Sequence, residues 1–109
     1  MASRIYQPVI NDTSTSGNTL IVVEDLKKWT ARLAASGTFN WEARMIGSEG
    51  ETGSQGYLLA SGTGDQDVIV NDNDGNGCQV CAYAIYLSWS SLSGGGGTPA
   101  ITIGLRGEY

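Results

Sequence analysis

Four aspartates within one ten-residue window come nearest to a ligand-binding pattern in this sequence: Asp65, Asp67, Asp72 and Asp74. Calcium binds several oxygen ligands that converge from one or two loops, which makes the window a candidate calcium site. Aligned from Asp72, however, the EF-hand pattern places Tyr83 where the bidentate glutamate belongs. Two interpretations stay open: a calcium loop of another kind, or a hairpin turn that uses Asn, Asp and Gly for their backbone tolerance.

Catalytic chemistry is not supported by the residue types present. Histidine is absent from the 109 residues, so Ser/His/Asp and Cys/His nucleophile systems cannot be assembled. Glu49 and Glu51 resemble the paired carboxylates of glycosidases, but they lie in a glycine-rich stretch that would hold them poorly. We therefore expect a protein that is not an enzyme, with no catalytic residues and no cofactor.

Cys78 and Cys81 indicate neither a disulfide nor a metal centre. They fall in a segment with strand character, where residues three apart point to opposite faces with Cα atoms roughly 10 Å apart. A zinc site would also need a second cysteine pair or histidines. We expect two small thiols that are buried or half-buried.

Three tryptophans, Trp29, Trp41 and Trp89, are open to two interpretations. Exposed tryptophans on a sheet can stack on sugar rings, as lectin aromatics do. These three fall on the apolar side of alternating stretches, which favours packing in a core. A carbohydrate-binding module therefore remains an alternative function and not the first expectation.

β-Strands must position these side chains, because apolar and polar residues alternate with a period of two along much of the chain. Residues 29–46 alternate in two halves around Ser36-Gly37, which predicts a hairpin with its turn there. Residues 19–23 are apolar enough for a strand with both faces covered. Further strands are predicted over 57–60, 67–70, 78–90 and 100–106, the third of them longest and central.

The predicted fold class is all-β, a single-domain β-sandwich or jelly roll of about eight short strands over residues 19–109. The 16 glycines and the 16% of charged residues favour short strands joined by glycine turns over a helix bundle. Residues 1–18 are predicted to form an N-terminal arm or an edge strand, because Pro8 has no amide to donate to a central ladder.

Charge and hydropathy exclude two classes of partner. The net charge is −5 and the six basic residues are scattered, so we expect no binding to nucleic acid. No apolar run approaches the roughly 20 residues needed to cross a bilayer, and MASRIYQPVI lacks the apolar core of a signal peptide. We expect no membrane association and assembly in the cytosol.

Three stretches are similar to the small all-β virion proteins of tailed bacteriophages: MASRIYQPVI, GTFNWEARMIGSEGETGSQG and GGGGTPAITIGLRGEY. The resemblance covers most of the chain and consists of glycine-rich loops, few charges, no histidine and a polar arm before a sandwich-like domain. Such proteins include capsid decoration (cement) proteins and components of tails and fibres. The resemblance implies a virion protein, assembled in the host cytoplasm, that decorates or stabilises the capsid as a symmetric homo-oligomer bound to the major capsid protein. It carries over no functional residue.

Overall fold

The computed structural model describes residues 4–73, 77–94 and 97–109, with the backbone alone for residues 4–10. Within these ranges the chain forms six strands and one short 3-10 turn: β1 (Arg4–Asp12), β2 (Gly17–Val22), β3 (Lys28–Ile46), the turn Gly53–Gln55, β4 (Tyr57–Asn71), β5 (Ala84–Ser93) and β6 (Ile101–Glu108). In the same ranges no helix has the length and apolar character needed to cross a membrane. The prediction of a single-domain all-β fold is confirmed.

β3 is the strand on which the sheet is built. It is 19 residues long and pairs antiparallel with three other strands. β4 pairs with both of its halves, so β6 and β5 share the remaining edge, β6 along residues 28–35 and β5 along residues 38–46. β1 then pairs with β6, and β2 pairs with β5. The sheet therefore has two ends that share the long β3–β4 ribbon. One end contains β6 and β1, and the other contains β5 and β2.

The predicted hairpin over residues 29–46 is wrong, because these residues belong to one continuous strand. The register shifts between Ala34 and Phe39 in the pairing with β4, and between Thr38 and Asn40 in the pairing with β5. Such bulges bend a strand without reversing it. Gly37 lies in this bend, and a Cβ there would collide with the backbone carbonyl of Ser93. The glycine therefore marks a close backbone approach rather than a turn.

One apolar core lies between the two ends of the curled sheet. Leu33 from the first half of β3 and Phe39 from the second half belong to the same buried cluster. β5 and β6 contribute the inward residues that their alternation predicted: Ile85, Leu87, Trp89, Ile101, Ile103 and Leu105. The two ends of the sheet thus pack face to face. The contact is made by every second side chain along each strand, since these side chains point inward.

Three predictions for individual strands differ from the structure. Residues 57–60 and 67–70 are parts of one strand, β4, which together with the unbroken β3 explains why the described ranges hold six strands rather than eight. β5 begins at Ala84 instead of Cys78. The residues before it form an isolated bridge between Gln79 and Asn73, and Tyr83 forms backbone hydrogen bonds with Val23 and Ile46. β2 is not covered on both faces: it lies at the end of the sheet, and Leu20 and Val22 are 48% and 50% exposed.

A core that joins both ends of the sheet predicts a large effect for Ile103→Ala. Ile103 is fully buried, so removing its side chain should lower the free energy of unfolding by about 2–5 kcal/mol. The matched control is Ile69→Ala, because Ile69 is 65% exposed and its loss should change the free energy by less than about 0.5 kcal/mol. Urea denaturation measures both values. Equal effects of the two changes would contradict the shared core.

Candidate functional site

The aspartates of the candidate calcium site make separate contacts. Asp65 accepts a hydrogen bond from the Trp41 indole nitrogen, and Asp67 pairs with a guanidinium on β3. Asp72 accepts a hydrogen bond of 3.1 Å from the amide nitrogen of the Gln79 side chain. In the described part of the chain, no three carboxylate or cysteine side chains are grouped so as to hold a metal ion. Asp74 lies outside the described residues, so a calcium site that includes it stays a prediction.

Asp67 forms an ion pair with Arg32 on the outer face of the sheet. The Arg32 Nε and Nη2 atoms donate to the two carboxylate oxygens of Asp67 over 2.9 and 2.7 Å. The hydrogen bonds and the charge of the guanidinium lower the pKa of Asp67. Any stability from this lowered pKa is present above the ordinary pKa of an aspartate and is lost as the pH falls through the folded-state value. Both side chains are more than half exposed, so the contribution is small.

Asp65, two residues before Asp67 on β4, holds Trp41 in place. The indole Nε1 atom of Trp41 donates a hydrogen bond of 2.5 Å to the carboxylate, and the ring packs against the core. Gly62 lies beneath this contact, since a Cβ there would collide with both the indole nitrogen and the Asp65 carboxylate. The glycine in β4 therefore makes room for the ring and its partner.

The other two tryptophans are buried, as their place on the apolar faces of strands predicted. Trp29 and Trp89 are each 3% exposed and belong to the core. The Trp89 Nε1 atom donates to the backbone carbonyl of Ser14 over 3.1 Å, which satisfies its polar edge. These two rings are not available to stack on a sugar.

Cys78 and Cys81 are exposed and are not joined in a disulfide. The prediction of buried or half-buried thiols is wrong, because the segment that contains them is a loop and not the start of a central strand. The pair Glu49 and Glu51 lies in an exposed loop as predicted, and the Glu51 carboxylate accepts a hydrogen bond of 2.9 Å from the Gly47 amide. That carboxylate therefore contributes to the shape of the loop.

A depression of about 430 Å³ lies over the second half of β3 and its neighbours. The register places Asn40 beside Ser90 and Glu42 between Ser61 and Ser88, so polar side chains share this face. Glu42 is the single ionisable residue among the described residues that line it. The depression can form hydrogen bonds, but its lining has no second ionisable group for acid–base chemistry.

Three strands, β1, β2 and β4, have an edge without a strand partner in the described part of the chain. β1 contains Pro8 and a register shift, and β4 carries the charges of Asp65 and Asp67 and pairs with β3 through three register shifts. Such features protect an edge from pairing with another chain. β2, with the sequence GNTLIV, has no proline, charge or register shift. This open edge could not be predicted from the sequence, because the apolar run TLIVV gives no sign of which face is covered.

The Asp67–Arg32 pair predicts a specific response of the Asp67 pKa. In Arg32→Gln the guanidinium is lost, so the pKa of Asp67 should rise toward the ordinary value of an aspartate. The matched control is Asp12, whose pKa is lowered mainly by the backbone amide of Ser14 and should not change. An NMR titration of the side-chain carboxyl groups follows both. A lowered Asp67 pKa that persists in the variant would contradict this assignment.

Comparison with known proteins identifies a shared fold and no family. No protein-family model matches the chain, and no curated protein sequence matches it. Among solved structures, the SPBc2 prophage-derived protein YomS superposes with a TM-score of 0.67 at 11% identity, over 100% of this chain and 96% of that one. PliG of Aeromonas hydrophila, a periplasmic inhibitor of g-type lysozyme, gives a TM-score of 0.41 at 10% identity, over 99% and 86%. The chain therefore shares its fold, from end to end, with a protein of prophage origin.

Proposed function

We propose that this chain is a bacteriophage structural protein that decorates or stabilises the outside of the capsid and catalyses no reaction. The observation that carries the proposal is the end-to-end fold similarity to the prophage-derived YomS, with a TM-score of 0.67. The bacteriophage resemblance of the sequence points in the same direction. The proposed location is the virion, and the proposed partner is the major capsid protein, bound by a homo-oligomer of this chain.

The surface of the molecule is compatible with this role. A net charge of −5 suits the outer side of a shell, away from the packaged DNA. Tyr57, Leu58 and Ile69 on β4 expose apolar surface that docking can bury. Such burial stabilises a complex by about 25 cal/mol per Å² before the costs of association are subtracted. A cement effect of this kind needs contact area and no reactive group.

Two alternatives differ from the proposal in ligand or in location. A small carbohydrate-binding module would use the polar depression around Asn40 and Glu42, which is the feature that favours it. Against this alternative, Trp29 and Trp89 are buried and Trp41 is held by Asp65. A tail or fibre component would have the same fold and differ only in its place on the virion.

Immunogold electron microscopy tests the location directly. Virions of the phage or prophage that encodes the chain are labelled with an antibody against it, and virions without the gene serve as the control. Gold over the head is the expected result. Gold confined to the tail would replace capsid decoration with the tail or fibre role, and absence of specific label would contradict every structural role on the virion.

Binding assays separate the capsid proposal from the carbohydrate alternative. The purified protein should co-sediment with shells that lack it and should not be retained on immobilised glycans. Trp41→Phe removes the indole donor near the depression and should leave co-sedimentation unchanged. Retention on glycans, together with a tryptophan fluorescence shift on addition of the sugar, would favour the carbohydrate-binding module instead.

A further inference from the structure

We propose that β2 is the edge through which two copies of this chain pair, antiparallel and across a two-fold axis, to form one continuous sheet. The proposal does not depend on the capsid role, because it follows from the backbone and side chains of β2 itself. β2 differs from the other two edge strands, β1 and β4, because it lacks the proline, charges and register shifts found there. An unprotected edge strand is a template for a further strand.

The backbone groups of β2 alternate between its neighbour and the free edge. The Val23 N–H donates to the Tyr83 carbonyl over 2.9 Å, and the register with β5 is unbroken from Gly17 to Val22. In an antiparallel pair every second residue exchanges hydrogen bonds with the partner strand. Thr19 and Ile21 therefore bond to β5, and the N–H and C=O groups of the residues between them point toward the free edge.

The residues with outward backbone groups also carry the exposed aliphatic side chains. Leu20 and Val22 are 48% and 50% exposed, whereas Ile21 between them is 6% exposed and lies in the core. Leu20 lies opposite Tyr86 on the outer face of the sheet, so the apolar surface continues onto β5. The same two residues thus offer both unpaired backbone groups and apolar surface to an incoming strand.

A second copy of β2 matches this edge in both respects. In an antiparallel pair centred on Ile21, Leu20 lies opposite Val22 of the second copy, and the two-fold axis repeats the contact. Each of these two pairs can exchange two backbone hydrogen bonds, and all four aliphatic side chains are buried on one face. β2 ends at Val22 and Glu24 lies in the turn that follows, so the paired segment ends there. β2 carries no charge that would select a charged partner instead.

The net charge sets the expected salt dependence of pairing. Each copy carries a charge of −5, so two copies repel each other at low ionic strength. Salt screens this repulsion, with a Debye length of about 10 Å at 0.1 M. Because the contact itself is apolar and made by the backbone, the dimer should become more stable, not less, as salt is added.

Sedimentation velocity with two matched variants tests the proposal. The wild-type chain should sediment as a dimer, and Leu20→Lys should raise the dissociation constant by roughly tenfold or more, because it places a charge in the contact. The control is Ile69→Lys, an equally simple change at an aliphatic residue that is 65% exposed on β4. It should leave the dimer intact. A monomeric wild type, or a dimer lost in Ile69→Lys and kept in Leu20→Lys, would overturn the proposal.

Amide hydrogen exchange tests the same contact without a mutation. The Ile21 amide bonds to β5 and should be protected in monomer and dimer alike. The Leu20 and Val22 amides should be protected in concentrated protein and exchange quickly after dilution. Fast exchange of both at every concentration would overturn the proposal, and so would protection that appears only when capsid shells are added, because the edge would then receive a strand from the shell.

Discussion

The continuous hydrogen-bonded ladder of β3 holds the sheet together, because three other strands pair with it. A strand of 19 residues that bends at Gly37 presents its first half to β6 and its second half to β5, while β4 follows both halves. The bend brings the apolar faces of both ends together over one core. If the strand reversed at residue 37, as its sequence suggests, β5 and β6 would lose their common neighbour. The curled sheet therefore exists because the chain bulges instead of turning.

The ionisable contacts described above and the open edge of β2 lie in different parts of the molecule. Ionisable side chains that belong to the described residues are spread over the outside in small contacts, such as the pair of Arg32 with Asp67 and the hydrogen bond from Trp41 to Asp65. Neither arrangement supplies the nucleophile and base that a reaction needs. The open edge of β2 offers backbone groups and apolar surface together. The proposed capsid role and the proposed pairing of β2 both need contact surface of this kind and no reactive group.

Alternation of apolar residues predicted most of what is buried. Ile101, Ile103 and Leu105 face inward as expected, and the all-β class follows from the same period of two. Pro8 was expected at an edge, and β1 pairs with β6 alone in the described part of the chain. These features are local, because a side chain's face and a missing amide are properties of single residues. Local rules therefore sufficed for them.

The features that could not be predicted depend on contacts distant in sequence. Ser36-Gly37 has turn chemistry, but the close approach of Ser93 uses the glycine for a bend. Leu20 and Val22 are as apolar as Ile21, but they lie on the outer face of the sheet, which no strand of the described residues covers at β2, whereas Ile21 lies in the core. The cysteines are exposed because β5 begins at Ala84, so the segment that contains them is a loop. Each of these outcomes depends on strands that are distant in sequence and cannot be identified from the local residues.

A cryo-electron microscopy reconstruction of the intact virion tests whether this chain decorates the capsid. We expect density for the curled sheet, which has six strands within the residues that the structure describes, on the outer surface of the capsid shell. A reconstruction that resolves the whole head surface and contains no such density would contradict the role in capsid decoration.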